Sequence, residues 1–187
     1  MHSKEKRAYR TEVLITQIRN RALNLYQTRQ MLCTEAVVVS LNRGLGGGLT
    51  EAQAVAMSAP FCTAMGESGC LCGALSGAVM ASGLFLAKGQ PFRHRGVIRE
   101  SARQLHDAFK ASNGSTCCRT LSKNVKHDQK AHFRHCTRLT AEAAELAARL
   151  ILKKRPELAN NANKEFLHKK QSDVGGLLLR LAHYFSH

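Results

Sequence analysis

The stretch from Gly69 to Ala87 constrains the fold of this chain most strongly, because it carries no charged side chain and spaces small residues at helical intervals. Gly73, Gly77 and Ala81 recur at i, i+4 and i+8, so they share one face of a helix predicted from about Cys72 to Ala87. Such a face lets a second backbone approach closely, which favours tight helix packing, although a cofactor pressed against the backbone needs the same geometry. The stretch is about as long as a membrane span but only weakly hydrophobic, and we therefore expect a buried helix.

The rest of the chain also has helical patterns. Further helices are predicted over residues 5–30, 33–42, 50–60, 97–110 and 129–154, separated by Gly- and Pro-containing breaks. Aromatic residues make up only 5% of the chain and Trp is absent, so the core must consist largely of Ala, Leu, Val and Met. This composition favours closely packed helices over strands. We predict an all-α fold, a compact bundle of about five to seven helices with a C-terminal helical extension.

A length of 187 residues allows one domain with a substantial core. We assign residues 1–156 to an all-helical, cysteine-containing redox domain and residues 157–187 to a C-terminal tail. The tail ends in the short apolar run VGGLLLRLAHYF, which is predicted to dock as a helix or to form a homodimer contact.

The chain is strongly basic, with 28 Lys and Arg against 13 Asp and Glu and a formal net charge of +15. Such a charge attracts an acidic protein, nucleic acid or an anionic membrane surface. The three Tyr and seven Phe are not interleaved with Lys or Arg in a nucleic-acid-binding motif, so nucleic acid is the less favoured partner and an acidic redox partner the favoured one. The first twelve residues are polar and lack the apolar core of a secretory signal, and a cytoplasmic location is expected.

The seven cysteines are the main indication of chemistry. In a reducing compartment cysteines are more often metal-binding, catalytic or simply buried than joined in a disulfide framework. The sequence contains no Cys-x-x-Cys and no haem-attachment motif, which removes the commonest thioredoxin-like, zinc-ribbon and cytochrome signals. Carboxylates are few and unpaired near these cysteines, so hydrolase chemistry has little support.

Three of the cysteines, Cys33, Cys72 and Cys118, are predicted near the starts of helices, and Cys136 about two turns into the last long one. A helix N-terminus stabilises negative charge, and the thiolate is the form that binds metal or attacks disulfides. Basic residues surround the last two cysteines and act in the same direction: Arg119, Lys123, Arg134 and Arg138. Four thiolates converging between helices would suit either a zinc ion or an iron-sulfur cluster.

Four segments in order resemble the C_GCAxxG_C_C family, whose members are described as redox-active. The resemblance covers about residues 12 to 152 and rests on these segments: Cys33 to Val39; Ala59 to Phe61 with Met65 and Gly66, leading to Cys72 to Ala78; Phe109 with Gly114 to Leu121; and Cys136 before an Ala-rich helix. It implies an all-helical domain with redox or iron-sulfur function, related to the cysteine domain of split-Soret cytochromes but without the haem motif.

The resemblance nominates Cys33, Cys72, Cys118 and Cys136 as cofactor- and metal-binding residues. The chain departs from the family pattern at three further cysteines, which could add ligands, form a resolving pair or have no role: Cys62, Cys70 and Cys117. The leading hypothesis is an iron-sulfur electron-transfer protein. The alternatives are a thiol/disulfide oxidoreductase without a cluster, and a structural zinc or nucleic-acid-binding module.

Three histidines near Cys136 could add to a zinc site, since His132 and His135 have the i, i+3 spacing of one helix face and His127 lies nearby. In so basic a segment we expect them instead to be solvated or to contact anions.

Overall fold

The computed structural model describes residues 3–69, 71–87 and 91–171. All regular secondary structure in this part of the chain is helical, which confirms the all-α prediction. The helices are α1 (Ser3–Gln27), α2 (Cys33–Leu45), α3 (Glu51–Ser58), α4 (Cys62–Glu67), α5 (Gly73–Leu86), α6 (Pro91–Asn113), α7 (Cys118–Ser122), α8 (Gln129–Lys154) and α9 (Lys164–His168), with 3-10 turns at Ala59–Phe61 and Pro156–Asn161.

The helix count differs slightly from the prediction of five to seven. Within the described ranges eight of these helices are right-handed, while α4 has left-handed backbone angles inside it. Two of the eight, α7 and α9, have only 5 residues each. Helices this short give no clear periodicity, because a periodic pattern needs a window of about 11–18 residues.

Local sequence signals place several helix ends. The Thr50 side chain accepts a hydrogen bond from the Gln53 N–H at 3.2 Å, and the Gln53 side chain accepts one from the Thr50 N–H at 2.9 Å, a capping box that starts α3. Gly46 adopts φ 71 and ends α2 inside the glycine-rich run. Helix α6 is longer than predicted at both ends. Its start was missed because Phe92 is exposed, so the first turn has no buried apolar face that a sequence pattern could reveal.

The small-residue face of α5 packs against the start of α2. A Cβ added to Gly77 would lie 2.8 Å from the carbonyl oxygen of Thr34 and 3.0 Å from the Val37 Cβ. Real Cβ atoms do not approach a carbonyl oxygen that closely, so only glycine permits this contact. The predicted tight helix packing is confirmed, and α5 packs against both α2 and α8.

The core is built mainly from Ala, Leu, Val and Ile. In α8 the predicted face of Ala143, Ala147, Leu150 and Ile151 is buried, and α8 packs along α1. The same side of α1 buries the residues expected from its periodicity: Leu14, Ile18, Ala22 and Leu25.

The first part of the proposed tail packs on this core. Phe166 and Leu167 of α9 are buried, and the Arg21 and Arg43 guanidinium groups lie 4.7 and 4.4 Å from the Phe166 ring centre. The boundary after residue 156 stays a prediction, and the apolar run at residues 174–185 lies outside the described residues. Among the helices of the described ranges, none combines the length and low polarity needed to span a bilayer.

Candidate functional site

The four cysteines nominated from the sequence line one cavity of about 310 Å³, here called the four-cysteine cavity. Each comes from a different place in the fold: Cys33 begins α2, Cys72 directly precedes α5, Cys118 begins α7 and Cys136 lies in α8. All four are free thiols. The cavity is also lined by Tyr26, Thr63, Ala64, Glu67, Gly69, Gly73, Ala74, Arg119, Leu121, Ser122, His132, His135, Leu139 and Thr140.

Helix starts position two of these thiols. The Leu32 N–H donates to the Glu35 carboxylate at 2.7 Å, which fixes the first turn of α2 and therefore Cys33. The Cys72 N–H donates to the Thr116 carbonyl at 2.8 Å, which ties the start of α5 to the segment that leads into α7. The prediction that Cys33, Cys72 and Cys118 lie at helix starts is confirmed.

One side of the cavity, formed by Cys33 and Thr63, is here called the Cys33 side. The Cys62 thiol donates to the Ser58 carbonyl at 3.8 Å. The Cys62 side chain and the Thr63 N–H act on the ionisation of the Cys33 thiol. These groups, the Cys62 side chain first, lower the pKa of Cys33 in spite of its burial. The pKa of Cys62 is raised, by the neighbouring Cys33 thiol first and by burial second.

The opposite side, formed by Cys118, His132, His135 and Cys136, is here called the Cys136 side. Burial, and after it the charge of Cys118, raises the pKa of Cys136 to about 11. Burial also raises the pKa of Cys118, and the neighbouring Cys117 adds to this. Cys72 lies between the two sides and behaves similarly, since burial raises its pKa to about 11 and the charges of Cys118 and Cys136 contribute.

Two of the three histidines line the cavity, whereas solvated side chains were expected. The His132 Nε2 lies 3.6 Å from the Cys136 Sγ. The His135 Nε2 is buried and has no hydrogen-bond partner within the described residues, and burial followed by the charge of Arg138 lowers the pKa of this imidazole. His127 is exposed, as expected. The helix spacing of His132 and His135 was the signal that could have placed both at the site.

Tyr26 is a cavity residue that the sequence did not indicate. Its ring stacks on Phe133 at 5.2 Å between centres, and its phenol faces the same cavity as Cys136 and lowers the pKa of that thiol slightly. Burial and the neighbouring cysteines raise the pKa of this phenol, so it stays a hydrogen-bond donor at neutral pH. Its spacing from the buried Ala22 in α1 is the only sequence trace of this inward position.

The additional cysteines have different surroundings. Cys62 is buried and does not line the cavity. The Cys117 thiol donates to the Gly69 carbonyl at 3.2 Å, outside the cavity lining. The Thr120 N–H favours the thiolate form of Cys117 and lowers the pKa of this thiol. Cys70 lies outside the described residues.

The segment after Cys62 forms a left-handed turn that no sequence signal predicts. Thr63, Ala64, Met65 and Glu67 have φ values of 50, 59, 55 and 68, the region that favours glycine. Each such residue costs roughly 1–2 kcal/mol relative to a right-handed conformation. Because Thr63, Ala64 and Glu67 line the cavity, this strained turn forms part of the site wall.

The described part of the chain contains no ready-made metal site. Across residues 3–69, 71–87 and 91–171, no three His, Cys, Asp or Glu side chains come close enough together to hold a metal ion as placed. The donor set itself, four thiols with two imidazoles beside them, is the type that zinc and iron-sulfur clusters use.

The comparisons with known proteins give one match. A family model described as "Putative redox-active protein (C_GCAxxG_C_C)" matches residues 31–150, a range that contains all four cavity cysteines. No curated protein matches the chain, and no solved structure does.

Proposed function

The chain belongs to the C_GCAxxG_C_C family of redox-active proteins, and from that premise we propose that it transfers electrons through an iron-sulfur cluster held by Cys33, Cys72, Cys118 and Cys136. The observation that carries the proposal is that four cysteines from four separate elements line one cavity. A structural role for each thiol alone gives no reason for such convergence.

The electrostatics of the cavity support the same conclusion. Burial raises the pKa of Cys72 and of Cys136, the charges of Cys118 and Cys136 add to the shift of Cys72, and the charge of Cys118 adds to that of Cys136. These thiols therefore resist ionising together in the metal-free protein. Iron within the cavity removes that conflict, because a bound cation stabilises the thiolates that coordinate it. When bound, a cluster of this kind supplies one-electron chemistry.

Residues of the chain would support such a centre without coordinating it. The Tyr26 phenol lines the cavity with Cys136, and the His132 Nε2 lies 3.6 Å from the Cys136 sulfur. Hydrogen bonds to cluster sulfurs and cysteine ligands raise the reduction potential of a cluster. Tyr26 and His132 are thus positioned to adjust the potential of the site.

A basic rim next to the cavity suits an acidic redox partner. Arg119 lines the cavity, and the exposed Lys123, Arg134 and Arg138 lie close to it along α7 and α8. Positive charge around an electron-transfer centre increases the rate of encounter with an acidic protein and makes that rate sensitive to salt.

Anaerobic purification followed by iron, sulfide and zinc analysis tests the proposal. We expect brown protein with iron and acid-labile sulfide near stoichiometric. Cys118→Ser is expected to abolish the colour, whereas Cys117→Ser, a change at the adjacent residue outside the cavity lining, should keep it.

Folded protein that is colourless and free of iron contradicts the proposal. Stoichiometric zinc without a redox response would replace the cluster with a structural zinc site. If the Cys118→Ser and Cys117→Ser variants lose iron equally, the cavity cysteines are not specifically the cluster ligands.

A further inference from the structure

Three helix ends meet at one end of the bundle: the start of α1, the start of α6 and the end of α8. The Arg149 guanidinium donates to the Glu12 carboxylate at 2.6 Å, which holds the first half of α1 beside the last turns of α8. At the far end of α6, the Asn113 amide donates to the Glu142 carboxylate at 3.1 Å. Helix α6 therefore runs back from the middle of α8 towards its end, where Arg155 donates to the Phe85 carbonyl at 2.8 Å.

This end, made of residues 5–10, 92–99 and 153–154, is here called the basic end. It lies away from the four-cysteine cavity, because Cys136 and Lys154 are about 27 Å apart along α8 at roughly 1.5 Å per residue. The basic end is therefore a different surface from the basic rim beside the cavity.

The start of α6 contributes positive charge without nearby acids. Arg93, Arg95 and Arg99 are exposed, and residues 91–99 contain no Asp or Glu. The acidic residues of this helix lie further along, where Glu100 pairs with Arg103 at 2.7 Å. The first two turns of α6 thus present their charge to solvent.

The other two helix ends add cations to the same surface. Lys6, Arg7 and Arg10 are exposed in α1, and Lys153 and Lys154 are exposed in the last turn of α8. Clustered charge of one sign attracts a surface of the opposite sign.

Exposed aromatic rings stand among these cations. Phe92 is 77% exposed and Tyr9 is 67% exposed, the two highest values for large hydrophobic side chains within the described residues. The Arg95 guanidinium lies 4.4 Å from the centre of the Phe92 ring, and Tyr9 lies between Arg7 and Arg10 in the sequence. Large apolar side chains left in water beside charged ones are typical of a surface that binds a partner.

We propose that the basic end binds the surface of a bilayer that contains anionic phospholipid. Cations alone would suit any polyanion, but the two exposed rings favour a bilayer. Its interfacial region accommodates Phe and Tyr among the headgroups, while Arg and Lys contact the phosphates. The association is peripheral, since none of the helices in the described ranges is long and apolar enough to span a bilayer.

The placement of the basic end gives the bound protein an orientation. With this end on the bilayer, the four-cysteine cavity lies about 27 Å further along α8, on the side away from the lipid. Membrane binding requires no cluster in the cavity, so it can be tested independently of the proposed function.

The test is sedimentation of the full-length protein with vesicles. We expect binding to vesicles of equal parts phosphatidylcholine and phosphatidylglycerol, weaker binding as salt is raised, and no binding to phosphatidylcholine alone. Because the chain contains no Trp, Phe92→Trp introduces a single reporter. Its emission should shift to shorter wavelength when anionic vesicles are added.

Matched charge variants locate the surface. Arg95→Gln with Arg99→Gln should weaken vesicle binding roughly 30-fold, because each cation at such a surface contributes a factor of about five. Lys126→Gln with Lys130→Gln removes the same charge from exposed positions around the start of α8 and should change binding much less. Phe92→Ser should weaken binding about tenfold through lost burial of the ring. All these positions are exposed, so circular dichroism and thermal unfolding should match wild type.

Absence of binding to the anionic vesicles, or equal binding to both kinds of vesicle, overturns the proposal. So does an unchanged emission of Phe92→Trp on bound vesicles. Equal losses in the two charge pairs would show attraction by net charge alone. If Arg95→Gln with Arg99→Gln weakens binding to an RNA or DNA oligonucleotide and leaves vesicle binding unchanged, the basic end is a nucleic-acid surface and the proposal is wrong.

Discussion

The two sides of the four-cysteine cavity shift the pKa of their thiols in opposite directions. On the Cys33 side, the Cys62 side chain and the Thr63 N–H lower the pKa of Cys33 although the side chain is largely buried. On the Cys136 side, burial without enough donors raises the pKa of Cys136 to about 11. The cavity therefore holds one thiol that ionises readily and others that ionise reluctantly.

The difference shows that a helix start does not by itself make a cysteine reactive. Cys33 and Cys118 both begin a helix, yet the pKa of Cys33 is lowered and that of Cys118 is raised. What separates them is the number of donors that reach the sulfur through space. A helix of 5 residues such as α7 also carries little of the dipole that a helix of 13 residues such as α2 provides.

The largest effect is expected at the Gly73 contact that closes the Cys33 side. Gly73→Ala places a methyl group 2.6 Å from the Cys33 sulfur and should destabilise the protein by roughly 1–3 kcal/mol in urea unfolding. Gly83→Ala in the same helix meets no atom within 4 Å and should stabilise it by about 0.5–1 kcal/mol.

Combining Gly73→Ala with Cys33→Ala removes the nearest clashing atom and should recover part of the loss. If Gly73→Ala and Gly83→Ala change the free energy of unfolding in the same direction, Gly73 does not make the close contact described at the Cys33 side.

The next effect concerns pH and the buried thiols. The pKa of Cys72 is about 11 in the folded protein, above the usual value of about 8.5. Cys72 therefore contributes stability that is fully present below about pH 8.5 and is lost as pH rises through about 11, a change of roughly 2–3 kcal/mol in the free energy of unfolding. The pKa of Cys33 is lowered, so the stability that Cys33 contributes should increase as pH rises towards 8.5.

Urea unfolding of reduced, metal-free protein at several pH values between 7 and about 11 measures this effect. Cys72→Ala should flatten the alkaline loss of stability relative to wild type, and Cys33→Ala should steepen it near pH 8. If the free energy of unfolding depends on pH in the same way in all three proteins, the pKa values of Cys33 and Cys72 are not shifted in opposite directions.

The smallest effect is expected in the left-handed turn. Met65 is 49% exposed with φ 55, so Met65→Gly relieves backbone strain without removing core contacts. After the entropy cost of glycine in the unfolded chain, a gain of about 0.5–1 kcal/mol is expected. Met57→Gly is the control, because Met57 is similarly exposed but lies in right-handed α3, where glycine should cost about 1 kcal/mol.

Thermal unfolding of the two variants beside wild type would reveal the sign of each change. Destabilisation of similar size in both would show that the turn after Cys62 is not left-handed.

The sequence by itself determined the helical class and most helix positions, because these depend on periodicity and on neighbours three or four residues apart. The spacing of Gly73, Gly77 and Ala81 predicted a close helix contact, and the family motifs selected four cysteines that prove to share one cavity. Both signals are local sequence patterns, which can be recognised without knowledge of the tertiary structure.

Only the tertiary structure decided which groups face those cysteines. Cys33 and Cys62 are distant in sequence but act on each other's ionisation, and Tyr26 lines the cavity with Cys136 from the other end of the chain. The left-handed turn after Cys62 is imposed against the preference of its own residues. Thiol ionisation depends on burial and on donors brought together by packing, so it could not be derived from residue types and their spacing alone.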